Sequence, residues 1–278
     1  MNIAAISRNP KNSPGMCDKD RAILDSIICL LSLAGHNVQQ LTEDEYSTDL
    51  RHYHVIINMS RNNSTLCKLA KAQSNGTIVV NTPQAVSNCS RKIFTDILQA
   101  NRIPQPAFVV QSNKQNAPTN GYPLWIKKSE GWSEEAGDVC YASTPYEANK
   151  IIADFRKREI EESLLCKHIE GDIIKFYGIG KEFFRICRPN PDDTKFGLEK
   201  INGTPQNYHI DKEKLHTIAL SAATAIGVEI YGGDAIITPG GNIYIIDLND
   251  FPSFSAVRDE AAQAISDLIN SKINNRKR

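Results

Sequence analysis

Gly232-Gly233-Asp234-Ala-Ile-Ile-Thr238, the turn Pro239-Gly240-Gly241-Asn242, and Ile243-Tyr-Ile-Ile-Asp247-Leu-Asn249-Asp-Phe-Pro-Ser-Phe254 form the stretch whose reading decides the fold. Two apolar, β-branched runs flank a Pro/Gly/Asn cluster, which is the pattern of a β-hairpin. A symmetric hairpin, with a loop of two residues or four, sets Thr238 opposite Ile243 and Asp234 opposite Asp247. Period-two alternation puts Asn249 on the face of Asp247, because Leu248 points the other way. Like charges directly opposed across a ladder cost roughly 0.2–1 kcal/mol, so the pair calls for a cation between its carboxylates. Asp, Asp and Asn offer hard oxygens of the kind Mg²⁺ takes when phosphates complete its shell. The plainer reading of the same residues is two exposed strand acids with no common partner.

The chain has 278 residues, enough for one large domain or two to three small ones. Lys+Arg and Asp+Glu both number 32, so the formal net charge is zero. No broad electrostatic footprint for nucleic acid or membrane follows, and neither is expected as a partner. The basic end, Asn274-Asn-Arg-Lys-Arg278, reads as a solvated tail. No run has the length and apolarity of a transmembrane helix, and Met1-Asn-Ile-Ala lacks a charged segment ahead of an apolar one. The seven cysteines are scattered, odd in number and never spaced Cys-x-x-Cys. They argue against a disulfide framework or a zinc site and for a reducing cytoplasm. His52 and His54 share a face across Tyr53 but lack an acidic or cysteine partner for a metal role.

The first third alternates strand and helix signals: strands at 2–6, 37–41, 54–58 and 77–80, helices at 20–33 and 64–74. Such alternation implies a parallel sheet covered by helices. The loop Arg8-Asn-Pro-Lys-Asn-Ser-Pro14 matches neither a dinucleotide fingerprint nor a P-loop, and Thr82-Pro83 marks a boundary. A helix follows, with Lys92 in its first turn and Ile93, Phe94, Ile97 and Leu98 on one face. After a polar loop at 111–121, Tyr122-Pro-Leu-Trp-Ile-Lys127-Lys128 reads as a strand. Thr144-Pro145-Tyr146-Glu147 is a capping box opening a helix. Strands at 164–169 and 173–179 flank Glu170-Gly171-Asp172, and a helix capped by Asp211 stops at Gly227. A helix from Ser255 to Ile273 follows the hairpin.

Taken singly, each lysine has a bland explanation: Lys92 as a solvated side chain, Lys127 as an edge residue that discourages pairing. Their order does not. Ser90-Arg91-Lys92 with Ile103-Pro-Gln-Pro106 precedes Tyr122-Pro123-Leu-Trp-Ile-Lys127. Leu164-Leu-Cys-Lys-His-Ile-Glu-Gly171 and then Asp234 with Asp247-Leu-Asn249-Asp-Phe-Pro complete the series. In this order and spacing the sequence resembles the ATP-grasp superfamily over essentially its whole length. The final run is similar to RimK-type and D-Ala–D-Ala-type ligases, which place Glu where this chain has Asp247. Together with Ile173-Ile-Lys175-Phe-Tyr-Gly178 it is also similar to the inositol trisphosphate 5/6-kinase branch.

The resemblance implies an α/β and α+β architecture in three parts. An N-terminal α/β predomain with a parallel sheet would span 1–82. A small central subdomain with a lid and the Lys127 strand would span 83–163, and a C-terminal antiparallel-sheet subdomain with the metal site 164–278. It implies ATP and one or two Mg²⁺ ions as cofactors, with Mn²⁺ as a substitute. Lys92 and Lys127 would meet the ATP phosphates. The backbone of Cys166, Lys167, His168 and Ile169 would bind the adenine edge, with Glu170 or Asp172 near the ribose. Asp234, Asp247 and Asn249 would hold the metal. Lys175 and Arg185 are candidates to stabilise the transferred phosphoryl or an acyl-phosphate, with a surface salt bridge the competing role for Arg185.

Two departures stand out. The loop Ser129-Glu-Gly-Trp-Ser-Glu-Glu-Ala-Gly137-Asp138 holds two glycines among four acidic residues where the family has a glycine-rich phosphate lid. Its carboxylates would repel phosphates, or else meet a cationic substrate or a metal. Ser253 stands where many relatives have glycine, to bind substrate or to cap the turn. The leading expectation is an ATP-dependent ligase joining a small-molecule carboxylate to an amine or thiol through an acyl-phosphate, with release of ADP and phosphate. The runner-up is a small-molecule kinase of the inositol-phosphate type, which would gather Arg8, Arg61, Arg185, Arg188 and Lys200 around its substrate. A non-catalytic ATP-binding module is the third. The co-substrates are not legible, and oligomeric state is open, a dimer included.

Overall fold

Four short β-branched runs line up side by side at the start of the chain. In this computed structural model, which describes residues 1–43, 49–189, 201 and 203–276, β1 (Asn2–Ser7), β2 (Asn37–Thr42), β3 (Val55–Asn58) and β4 (Ile78–Val80) are ordered β2-β1-β3-β4. All neighbours are parallel. Alternation gives the sheet two buried faces. Ile3, Ala5, Val55 and Ile57 pack on α1 (Cys17–Leu33) through Ile23, Leu24, Ile27 and Leu31. Ala4, Ile6 and Ile56 pack on α2 (Asn63–Ser74) through Leu66 and Leu69. Strand order reverses between β1 and β3, so the ligand crevice of such a sheet lies beyond their carboxyl ends. Arg8 and Arg61 sit in the loops there.

The short helices α3 (Pro83–Asn88) and α4 (Arg91–Ala100) lead to a second sheet. It contains β5 (Phe108–Ser112), β6 (Leu124–Lys128), β7 (Val139–Ala142) and β8 (Glu162–Lys167), antiparallel in the order β5-β8-β6-β7. Leu124, Ile126 and Leu165 face α5 (Pro145–Lys157), whose Ile152 and Phe155 are fully buried. Trp125 and Lys127 therefore point from the opposite face. Thr144 caps α5 by accepting from the Glu147 N–H at 3.2 Å, while the Glu147 carboxylate answers Ser143 N–H at 2.7 Å instead of the cap's own.

The third sheet has β9 (Asp172–Ile179), β10 (Phe183–Cys187), β11 (Ile230–Ile237) and β12 (Ile243–Asp250) in the order β10-β9-β11-β12, all antiparallel. One face packs on α6 (Lys212–Ile226). The last helix, α7 (Arg258–Arg276), packs back on α1 in a core shared with β1 and β3. Asn81, fully buried after β4, joins this sheet to the first. Its Oδ1 accepts from Glu229 and Ile230 N–H at 2.9 Å, and its Nδ2 donates to Ile230 O at 2.8 Å. Among the described residues no helix is long and apolar enough to cross a membrane.

The hairpin of β11 and β12 departs from a symmetric register. Ile237 faces Ile243 and Ala235 faces Ile245, and Thr238 N–H bonds Asn242 O, so Thr238 does not face Ile243. A bulge at Ile246 then shifts the ladder by one residue and brings Asp247 opposite Asp234. A bulge re-aims the side chains that follow it; here it carries Asp247 and Asn249 onto the Asp234 face. Gly233 makes this possible, since a Cβ there would lie 2.2 Å from Asp247 O and 2.5 Å from the Phe176 ring.

Gly233→Ala is therefore expected to cost at least about 1–3 kcal/mol by overpacking, read as a lower urea midpoint. A midpoint equal to wild type would show that the hairpin does not need this close approach.

Candidate active site

The face of the third sheet opposite α6 changes character along its strands in register. Ile173 lies opposite Ile236, with Ile246 beside it; Lys175, Asp234 and Asp247 form the next row; Tyr177, Gly232 and Asn249 form the third. Rows on one face are two residues apart, about 7 Å. All nine residues line one cleft of about 380 Å³. On the opposing wall Trp125 and Cys166 form an apolar row, and Lys127, paired with Val139, stands in the next. Apolar meets apolar at one end, and cations meet carboxylates about 7 Å farther on.

In the charged row Lys175 Nζ lies 3.1 Å from Asp234 Oδ1, and Asn249 Nδ2 donates to Asp247 Oδ2 at 2.8 Å. Lys127 Nζ reaches the carbonyl of the bulge residue Ile246 at 3.5 Å. Asp234, Asp247 and the Asn249 carbonyl could hold a divalent cation: two hard carboxylates are aligned across the ladder, and Asp247 is open to the cleft. Among the described residues no group of three or more His, Cys, Asp and Glu side chains has metal-site geometry. A cation held there would have to complete its shell with phosphates and water, as Mg²⁺ does.

Beside Lys127 and Lys175 the cleft wall also carries Arg91. It is half-buried on the face of α4 that carries Phe94, Thr95 and Leu98, and donates to Lys128 O and Ser133 Oγ; desolvation lowers its pKa against the opposing pull of Asp247. Lys92, one residue on, turns outward to Glu162 at 2.6 Å and does not line the cleft. That Glu162 bond raises its pKa. Helical phase explains the swap: positions 91, 94, 95 and 98 share a stripe, and 92 lies about 100° away. Ile93, expected on the buried face, is 43% exposed.

Four further expected positions, Arg185, Asp172, Glu170 and His168, lie off the cleft. Arg185 belongs to the Tyr177–Gly232–Asn249 row, but on the edge strand β10, about two strand spacings (~10 Å) from Gly232. There it pairs with Glu260 at 2.6 Å. The Asp172 carboxylate is spent on Gln206 and Tyr208 N–H and on Arg188. Burial raises its pKa, yet those bonds more than offset it and the net shift is down. Glu170 is exposed and not on the cleft wall. Cys166, Lys167 and Ile169 line the cleft, and His168 does not.

The far end of the cleft is built by the loops after β1 and β3, with Ser253 and Ser255 also on its wall. Asp250, fully buried and next to Asn249, pairs with Arg61 at 2.7 Å and Arg8 at 3.4 Å. Arg8 continues to Asp20 at 3.0 Å and donates to Met59, Asp250 and Phe251 carbonyls. Glu43 ties the two loops together, accepting from Asn9, Arg61 and Asn62 N–H at 2.7–2.8 Å. This end of the cleft carries two arginines and two aspartates, all mutually paired. Lys200, another cation expected here, lies outside the described residues.

The acidic loop at 129–138 covers the cleft without turning its carboxylates inward. Gly131, Trp132 and Ser133 face the cavity, and Trp132 lies under the Arg61 guanidinium, 4.7 Å from ring centroid to carbon. The α4 N-terminus receives Ser129 and Gly131 carbonyls on Lys92 and Arg91 N–H. Glu134 and Glu135 pair with Lys128 and Arg158 away from the cleft, and the buried Asp138 pairs with both. The expected repulsion of phosphates is thus reduced by cations from β6 and the end of α5.

No family model matches the sequence, and no curated protein is detectably similar to it. Solved structures are similar throughout. The D-alanine–D-alanine ligase of Bacillus anthracis complexed with ATP superposes with a TM-score of 0.72 at 15% identity, covering 100% of this chain and 99% of its own. A RimK domain ATP-grasp protein of Sphaerobacter thermophilus gives 0.68 at 16% identity, covering 96% and 98%. D-alanyl-alanine synthetase A of Vibrio cholerae gives 0.69 at 12% identity, covering 99% and 98%. The chain has the ATP-grasp fold. In ATP-grasp terms, the cleft lies between the second and third sheets, with the predomain loops closing one end.

Burial pushes the Asp138 carboxyl up, but Glu134 and Glu135 N–H, Arg158 and Lys128 more than offset it, so its pKa is held below the usual value. A depressed carboxyl stabilises above its unfolded value, about 4, and that stabilisation is lost as pH falls through the folded value. Amide protection of residues 134–138 is expected to fall on acidification below about pH 4. Arg158→Met is expected to lower it already at pH 7. Protection in that variant equal to wild type would show that Arg158 does not hold the loop.

Proposed function

We propose that the chain is an ATP-dependent ligase that joins a small-molecule carboxylate to an amine or thiol through an acyl-phosphate. The observation that carries this reading is the matched polarity of the two facing sheets. An apolar slot leads, one row on, to Arg91 and Lys127 on one side and the Lys175–Asp234–Asp247 row on the other, with Asn249 one row beyond. ATP fits that order: base between Trp125 and the Ile173–Ile236–Ile246 wall, triphosphate along the three cations. Similarity to ligases of known fold, one of them complexed with ATP, supports the same reading.

In this reading a carboxylate oxygen of the substrate attacks the γ-phosphorus and ADP leaves. The amine or thiol then attacks the acyl carbon, phosphate leaves, and the nucleophile gives up its proton. Mg²⁺ held by Asp234, Asp247 and Asn249 would supply charge neutralisation at the phosphates. Arg91 and Lys127 hold the triphosphate in place, Arg91 as a planar fork steadied by Lys128 O and Ser133 Oγ and Lys127 as a point charge. Lys175, directly across the ladder from Asp234, stands where negative charge builds on the transferred group. The closed loop with Trp132 excludes water from the acyl-phosphate.

Ligase chemistry is favoured over a kinase because both arginines at the far end of the cleft are already paired with carboxylates. Arg8 and Arg61 are committed to Asp20 and Asp250, while Arg185 and Arg188 are paired with Glu260 and Asp172 off the cleft. A polyanionic acceptor would need such cations uncommitted.

ADP and phosphate release screened against pooled carboxylates and amines should require both co-substrates. A stable phosphorylated product formed from one substrate alone would contradict the ligase. Arg91→Gln is expected to weaken Mg·ATP binding about tenfold or more, the loss of a charge-assisted contact, whereas Lys92→Gln stays within about twofold. Equal losses in calorimetry would remove Arg91 from the phosphate site.

A further inference from the structure

Two rings that do not line the cleft flank its apolar wall, Tyr141 on the Trp125 face of the second sheet and His168 just past the end of β8. Trp125 lines the slot, and its Nε1–H donates to His168 Nδ1 at 3.1 Å. Tyr141, opposite Trp125 in register, meets the indole edge-on at 5.4 Å and 66°, and meets the imidazole edge-on at 5.4 Å and 79°. The His168 backbone N–H is bonded to Pro123 O at 3.1 Å, which ties it to the start of the Trp125 strand. An Nδ1 that accepts a hydrogen bond belongs to the neutral ring with its proton on Nε2. Burial lowers the His168 pKa, with Glu170 opposing.

His168 lies between Lys167 and Ile169, which both face the cleft at the edge of the slot. The residue that fixes the indole is therefore part of the segment that borders the base. We propose that His168 is a positioning residue: its bond to Trp125 locks the stacking wall to the 167–169 segment and so sets which nucleobase the slot accepts. A free indole would rotate within the slot and stack on any base, because stacking alone discriminates little among them. With the indole held, the edge of the base must meet the 167–169 segment in one alignment, and adenine is selected over guanine there. The inference rests on the reading of the cleft as an ATP site.

Calorimetry of the full chain with Mg·ATP, Mg·GTP and Mg·tripolyphosphate tests it. Wild type is expected to prefer ATP over GTP. His168→Phe keeps a ring but no acceptor, and is expected to reduce that preference about tenfold. Tripolyphosphate, which reports only the cation row, should stay within about twofold in the same variant. His168→Asn, whose Oδ1 can take the place of Nδ1, is expected to restore the preference. An unchanged ATP-to-GTP ratio in His168→Phe, an equal loss for tripolyphosphate, or failure of His168→Asn to rescue would each overturn the lock. Those outcomes leave the nucleotide site standing. Absence of ATP binding by wild type would overturn both.

Discussion

Two carboxylates face each other across one ladder, and most of the cleft is arranged around that electrostatic liability. Asp234 and Asp247 become opposed only because the bulge at Ile246 shifts the hairpin by one residue, and Gly233 lets the strands approach there. Their repulsion is tolerable when positive charge is shared between them. Lys175 supplies part of it from the neighbouring strand. The remainder is the physical case for a divalent cation, and for the phosphates that would complete its shell.

Asp250 extends the same strand into the second half of the cleft. Fully buried, it is neutralised by Arg8 and Arg61 from the two loops beyond the switch point of the parallel sheet. Removing one partner of such a buried pair typically costs about 3–5 kcal/mol, since a charge is left uncompensated. The strand that carries the candidate metal ligands is thus fastened to the loops that close the far end of the cleft. Arg61 passes the connection on to Trp132 in the covering loop. Asn81 adds a second tie between the first and third sheets.

Much of this was legible in residue order. Opposed acids in β-branched strands, a strand written Pro-x-x-x-Lys and alternating elements before Thr82 lead to the three-sheet arrangement. The edge strands β5, β7 and β10 were not legible: each is four or five residues long, and pairing partners far away in sequence decide their state. That Arg91 and not Lys92 lines the cleft had a signal in the sequence, because the spacing to Phe94, Thr95 and Leu98 puts position 91 on their stripe. The acidic loop was opaque for a different reason. Lys128 and Arg158 neutralise it, and Arg158 is brought there only by the packing of α5. The bulge left no trace in the hairpin sequence, so the right pairing of Asp234 with Asp247 followed from the wrong register at Thr238.

The account stands or falls on the opposed pair as a magnesium-dependent nucleotide site. Calorimetry of ATP binding with and without Mg²⁺, in wild type and Asp247→Asn, addresses it most directly. The account predicts binding that strengthens at least about tenfold with Mg²⁺ in wild type and loses that dependence in the variant. ATP affinity indifferent to Mg²⁺ in wild type, or an intact Mg²⁺ dependence in Asp247→Asn, would contradict it.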